Sequence, residues 1–133
     1  MENNKYHILI VEDDKEIRDG VEIYLKNQGY QVWKASNGKE GLEIVAQEEI
    51  HLAILDIMMP KVDGVKVLKA IRDFEVQRGI QAENKVKIII ITALADTEFV
   101  NTAFDLGCEA YAAKPVDTEK LVEVMNKLGV IKV

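Results

Sequence analysis

The sequence predicts a doubly wound α/β domain, and three observations carry that prediction. Short apolar runs without polar alternation alternate with longer segments whose apolar residues recur every three or four positions. The alternation repeats as a (βα)5 pattern, uninterrupted by low-complexity segments, Pro/Ser-rich linkers or solenoid-period repeats. Strands joined through helices must run parallel with right-handed crossovers, which puts helices on both faces of one sheet.

The elements follow in order. His7-Ile-Leu-Ile-Val11 reads as a strand covered on both faces. Ile17, Val21, Tyr24, Leu25 and Gln28 follow at helical spacing, and Gly29 is free to take the left-handed position that ends the helix. Tyr30 to Ala35 is the second strand, and Asn37-Gly38 opens a short helix through Leu42 and Val45. Leu52-Ala-Ile-Leu55 is the third strand, stopping at Asp56. A loop carrying Pro60 leads to Asp63-Gly64, where Asp63 is the expected N-cap of a helix that uses Val67, Leu68, Ile71 and Phe74. Arg78 to Lys85 is polar and reads as a loop. Val86 to Ile91, with four consecutive isoleucines, is the strongest buried-strand signal. Thr97 to Leu106 is a helix closed by Gly107, and Ala110 to Ala113 is the last strand. Asp117 to Leu128 is the last helix, with Leu121, Val124, Met125 and Leu128 on one face and Gly129 after it.

Composition bounds the function. A chain of 133 residues reads as one domain, residues 1–133, with a core over about 6–129. Its 17 basic and 23 acidic side chains give a net charge of −6 without a Lys/Arg cluster, which argues against direct nucleic-acid binding. The single cysteine, Cys108, excludes a disulfide framework and a multi-cysteine zinc site. No apolar run approaches the ~20 residues that span a bilayer, and the start, Met1-Glu-Asn-Asn-Lys-Tyr6, is no signal peptide. A cytoplasmic protein without membrane contact is expected.

Four of the strands end in polar groups: Glu12-Asp13-Asp14, Asp56, Thr92 and Lys114. Each has a plain reading by itself. An acidic run suits the first turn of a helix, Asp56 could cap a turn, Thr92 is a β-branched strand residue, and Lys114 is an ordinary solvated lysine. Together, at the matching ends of neighbouring strands, they mark the place where open parallel sheets bind ligands. Glu12, Asp13 and Asp56 would crowd three carboxylates, which stay ionised only if cations join them. Lys114 is one. Oxygen donors without His or Cys favour Mg2+ or Mn2+ as the other. Such a site is suited to receive a phosphoryl group on a carboxylate, with metal, lysine and hydroxyl neutralising the transferring oxygens.

Competing phosphate chemistries fit less well. Neither GxGxxG nor GxxxxGK[ST] occurs, and the loop after the first strand carries acids where a flavin or nucleotide site needs free N–H groups. A phosphatase of the haloacid-dehalogenase type needs a second Asp two residues after its nucleophile; Ile57 and Met58 follow Asp56 here. The expectation is an acceptor that is not a turnover enzyme.

These residues resemble the receiver domain of two-component response regulators. Val-Glu-Asp-Asp at 11–14, Leu-Asp-Ile-Met-Met-Pro at 55–60, Asp-Gly at 63–64, Ile-Thr-Ala at 91–93 and Lys-Pro at 114–115 stand in that family's order. The resemblance implies a flavodoxin-like sandwich whose parallel strands are ordered 2-1-3-4-5. It implies that Asp56 is the phosphoacceptor and Asp13 a direct metal ligand, with Glu12 acting through metal-bound water and the Met58 backbone carbonyl as a further ligand. Thr92 and Lys114 would hold the phosphoryl group, and Tyr111 would be the switch aromatic that follows Thr92. Asp14 reads as first-turn helix charge. Lys114-Pro115 resembles the family's cis peptide.

The implied partners are a histidine kinase or histidine phosphotransfer protein as donor, and an unidentified protein that reads the fourth helix, fifth strand and fifth helix. Apolar Met58 and Leu94, where polar side chains can orient water, imply slow self-dephosphorylation. Val116 stands where many members carry Phe, so the family's dimer is not carried over, and a monomer or weak phosphorylation-dependent dimer is expected. The alternatives are a receiver fragment of a longer multidomain regulator or hybrid kinase, and a phosphorylation-independent interaction module. Trp33 reads as packing or surface, Cys108 as inert, and His7 and His51 lie at strand starts, at the far end from the site.

Overall fold

The computed structural model describes residues 6–56, 64–92, 97–114 and 116–129, the side chains of 97–99 excepted. Five parallel strands, β1 (His7–Val11), β2 (Gln31–Ala35), β3 (Leu52–Asp56), β4 (Lys87–Thr92) and β5 (Ala110–Ala113), form one sheet in the order β2-β1-β3-β4-β5. The helices are α1 (Lys15–Asn27), α2 (Gly38–Gln47), α3 (Gly64–Gln77), α4 (Thr97–Leu106) and α5 (Thr118–Lys127). The expected (βα)5 architecture and strand order are both present. Among the described residues no helix is long and apolar enough to cross a membrane.

Strand alternation divides the core in two. Leu9, Val11, Ala53, Leu55, Ile88 and Ile90 face α2, α3 and α4 through Val45, Leu68, Ile71 and Ala103. Ile8, Ile10, Ile54, Ile89 and Ile91 face α1 and α5 through Val21, Leu25, Leu121 and Met125. The unbroken apolar runs therefore mark strands buried on both faces. The isoleucine run pairs Ile88 with Ala53 and Ile91 with Asp56, which places the end of β3 deep in the sheet.

Caps set the helix entries. The Asp14 side chain accepts from the Glu16 and Ile17 N–H groups at 2.9 and 3.2 Å. Asn37 accepts from Glu40 N–H at 3.0 Å, and Asp117 from Glu119 and Lys120 N–H at 3.0 and 3.3 Å; each satisfies donors that a helix start leaves open. Gly29 has φ 95°, in the left-handed region expected of it. Gly41 lets α2 lie close on β1, since a Cβ there would come within 2.8 Å of Val11 Cγ2. The expected Asp63 cap lies outside the described residues.

The start of the fourth strand differs from the sequence expectation. The fourth strand begins at Lys87, because the N–H of Val86 is taken by the buried Glu75 carboxylate at 2.7 Å. Glu75 is paired with Arg72 (2.7 Å), which also donates to Val86 O (2.8 Å), Gly107 O (2.6 Å) and Glu109 (2.9 Å). This network joins α3 to the starts of β4 and β5 and the end of α4. The Arg78–Lys85 loop contains a short 3-10 turn over Ala82–Asn84 and lies at the end of the sheet where β4 begins.

Candidate functional site

The carboxyl ends of β1, β3, β4 and β5 bring Glu12, Asp56, Thr92 and Lys114 together. Glu12 follows β1, and its N–H donates to Ala35 O at 3.1 Å, extending the pairing with β2 by one bond. That bond turns its side chain into the protein, where it is 0% exposed. Asp56 and Thr92 end β3 and β4 and are buried. Lys114 follows β5, its N–H bonded to Thr92 O at 2.8 Å. Its ammonium sits 2.8 Å from Asp56 Oδ2 and 3.5 Å from Glu12 Oε1. Asp13 is exposed, yet one carboxylate oxygen from each of Glu12, Asp13 and Asp56 lies within 4.8 Å of the others.

Charge is unbalanced in this pocket. Burial first, and the Asp56 side chain second, push the Glu12 carboxyl up from 4.5 to about 8. Asp14 N–H, which donates to Glu12 Oε2 at 3.1 Å, works the other way but does not offset them. Burial draws Lys114 toward its neutral form, while Asp56 and Glu12 outweigh it and hold the ammonium above its ordinary value. Glu12 Oε1 is buried and accepts no hydrogen bond from the described residues. A buried carboxylate oxygen without a donor, facing two further carboxylates, fits a hard divalent cation that takes oxygen ligands. Glu12, Asp13 and Asp56 are the residues that could hold one.

The remaining expected site residues are placed as follows. Asp14 caps α1 and stands outside the acidic group. Tyr111 on β5 is 46% exposed, its ring edge-on to Phe104 of α4 at 6.3 Å. Met58, Leu94 and the Lys114-Pro115 peptide fall outside the described residues, so their expected roles rest on the sequence. Cys108 is buried, and burial pushes its thiol up to about 11, as suits an inert cysteine. Trp33 is half-buried and packs against the core. His7 and His51 lie at the opposite end of the sheet, where His7 N–H donates to His51 Nδ1 at 2.9 Å.

One neighbour of the site carried no signal in the sequence. Arg18 of α1 donates from Nη1 to the backbone carbonyls of Glu12 (2.7 Å) and Asp13 (3.4 Å). Only a basic residue one turn beyond an acidic run could have suggested it, and such pairs are common on helix surfaces.

The arrangement has close counterparts. The family described as the response regulator receiver domain matches residues 8–126. The regulatory protein VanR of Enterococcus faecium is 40% identical over 116 residues, which cover 86% of this chain and 46% of that protein. The chain spans about half the length of the curated relatives it matches. A CheY-like receiver domain protein from Methanospirillum hungatei JF-1 superposes with a TM-score of 0.79 at 31% identity, covering 92% of each chain. The receiver domain of the Saccharomyces cerevisiae response regulator Ssk1, solved with the histidine phosphotransfer signaling protein Ypd1, superposes with a TM-score of 0.87 at 28% identity, covering 97% of this chain and 92% of that one. With five parallel strands in the order 2-1-3-4-5 and an acidic pocket at their carboxyl ends, this chain belongs to the response regulator receiver domain family.

Proposed function

We propose that the chain is a phosphorylation-activated signalling switch whose phosphoacceptor is Asp56. The observation that carries the reading is the Lys114 ammonium 2.8 Å from Asp56 Oδ2, in a pocket shared with Glu12 and Asp13. An Asp56 oxygen attacks the phosphorus of a phosphohistidine on a histidine kinase or phosphotransfer protein. The O–P bond forms as the N–P bond breaks, and the imidazole leaves with its electron pair and takes a proton. The neighbouring structure solved with a phosphotransfer protein supports that class of donor. Glu12, Asp13, Asp56 and the Met58 carbonyl would hold Mg2+ or Mn2+, which would supply positive charge to the transferring oxygens. Asp13 would be the direct ligand and Glu12 would act through metal-bound water, while Lys114 and the Thr92 hydroxyl hold the arriving group.

The aspartyl phosphate adds roughly −1.5 to −2 charge. Thr92 and Lys114 are drawn to it, and Tyr111, half-exposed against Phe104, follows Thr92 and alters the α4–β5–α5 surface that a target protein reads. Moving such an equilibrium from 1% to 99% requires about 5.5 kcal/mol of differential interaction. A dianion beside a lysine, a hydroxyl and a divalent cation is of the right kind to supply it. Apolar Met58 and Leu94 leave attacking water without a polar guide, so decay is slow and the chain is an acceptor without turnover. The switch works in the cytoplasm, where a kinase meets it, as one domain over residues 1–133 and as a monomer or weak phosphorylation-dependent dimer.

A second reading concerns extent: these residues are the receiver piece of a longer multidomain regulator. Relatives matched over only about half their length favour it. The acceptor chemistry is the same in both. The test is incubation with acetyl phosphate and Mg2+ followed by intact mass. A gain of one phosphoryl group, absent in Asp56→Asn, supports the switch. An unlabelled wild-type protein leaves the phosphorylation-independent interaction module in its place, and equal labelling of Asp56→Asn overturns Asp56 as the acceptor.

A further inference from the structure

Three acids converge in this pocket, yet the backbone that carries two of them is not part of a strand or a helix. Residues 12–14 lie between β1, which ends at Val11, and α1, which starts at Lys15. Like charges among these carboxylates oppose their convergence when no cation is bound. Several bonds resist. Glu12 N–H is tied to Ala35 O at 3.1 Å, and Arg18 N–H to Asp14 O at 2.9 Å. Asp14 is also held through its side chain as the cap of α1.

The carbonyls of residues 12 and 13 are held by the Arg18 guanidinium, from the short bond to Glu12 O (2.7 Å) to the longer one to Asp13 O (3.4 Å). Peptide 12 is thus fixed on one side by β2 and on the other by α1. The same guanidinium brings a permanent positive charge to the backbone of the acidic loop, and Lys114 brings an ammonium to its carboxylates. Its charge also reaches Glu40 at the start of α2, whose carboxyl is held below its ordinary value first by Ser36 and then by Arg18.

We propose that Arg18 is the positioning residue of the cation site: it clamps the 12–13 backbone so that Glu12 and Asp13 stay converged on Asp56 before a cation arrives. The described hydrogen bonds of Arg18 go to the backbone carbonyls of Glu12 and Asp13, so it acts through the loop. It sets how tightly the cation is held more than how fast a filled site reacts. The proposal rests on the reading of Glu12, Asp13 and Asp56 as cation ligands.

The test compares the wild type with Arg18→Met, which keeps the apolar stem and loses charge and donors, and Arg18→Lys, which restores charge and one flexible donor. Calorimetric MgCl2 titration gives affinity; acetyl phosphate labelling against Mg2+ concentration separates half-saturation from plateau rate; amide exchange in EDTA reports the loop without metal. For Arg18→Met we expect magnesium affinity to fall about tenfold, the scale of one charge-assisted hydrogen bond. The half-saturating Mg2+ rises in step, the plateau rate changes far less, and Asp14 N–H exchanges faster. Arg18→Lys falls between. Unchanged affinity in Arg18→Met, or a lower plateau rate at unchanged half-saturation, overturns the proposal; if Arg18→Met does not fold, the same comparison on Arg18→Lys decides. A wild type that takes up no magnesium overturns the ligand reading instead.

Discussion

Without metal, Glu12 makes the protein less stable as the pH rises through neutrality. Its carboxyl is wholly buried and pushed up from 4.5 to about 8 by burial and by Asp56. Between those two values the folded protein holds a proton that the unfolded chain has released, so the slope of stability against pH is negative. The contribution is complete below about 4.5 and is lost as the pH climbs through about 8. From the binding polynomial, the step from pH 7 to pH 8 removes up to about 1 kcal/mol.

That window avoids the other shifted groups. Burial lowers His51, so its stabilisation is lost on acidification, below its ordinary 6.5. Cys108 loses its contribution only between 9.0 and about 11, and Lys114 only above 10.5. The assay is urea unfolding in EDTA at pH 7.0, 7.5 and 8.0, for the wild type and Glu12→Gln. The wild type is expected to lose stability across the series while the variant stays level. Excess Mg2+ then reverses the wild-type loss, because a ligand at a hundred times its dissociation constant adds about 2.7 kcal/mol. A wild-type curve parallel to that of Glu12→Gln refutes the reasoning.

Three further substitutions probe the scaffold. Arg72→Met leaves Glu75 buried without its cation and is expected to cost about 3–5 kcal/mol by urea unfolding, with much of the loss recovered by adding Glu75→Leu. Gly41→Ala drives a methyl to within 2.8 Å of Val11 Cγ2 and is expected to cost about 1–3 kcal/mol, relieved by Val11→Ala. Asp117→Ala removes the cap of α5 and lowers stability by about 1 kcal/mol in the same assay.

Much of this was legible because parallel sheets write themselves plainly. Three strands, β1, β3 and β4, are apolar without alternation where both faces are covered, and the isoleucine run of β4 is the plainest of them. The polar residues at strand ends were legible for the same reason: an apolar run stopping at Asp56 or Thr92 marks the carboxyl edge of the sheet. Asp14, expected as first-turn helix charge, is the N-cap of α1 and stands outside the acidic group.

What escaped were contacts between distant positions. Glu75 looks like any surface glutamate in a helix, yet it is buried, because Arg72 and Val86 N–H satisfy it from 3 and 11 residues away. That capture also moved the start of β4, which propensity could not foresee. Nor could spacing tell that Glu12 turns wholly inward while Asp13 stays exposed; the bond from Glu12 N–H to Ala35 O decides it.

The central claim is that the crowded carboxylates at the ends of β1 and β3 recruit a divalent cation. Calorimetric titration of MgCl2 at pH 7.5, in two buffers of different ionisation enthalpy, tests it most directly. One magnesium per chain is expected, with release of protons as Glu12 ionises and a large loss of affinity in Asp13→Asn. Absence of uptake by the folded wild type, or uptake that Asp13→Asn leaves unchanged, would contradict it.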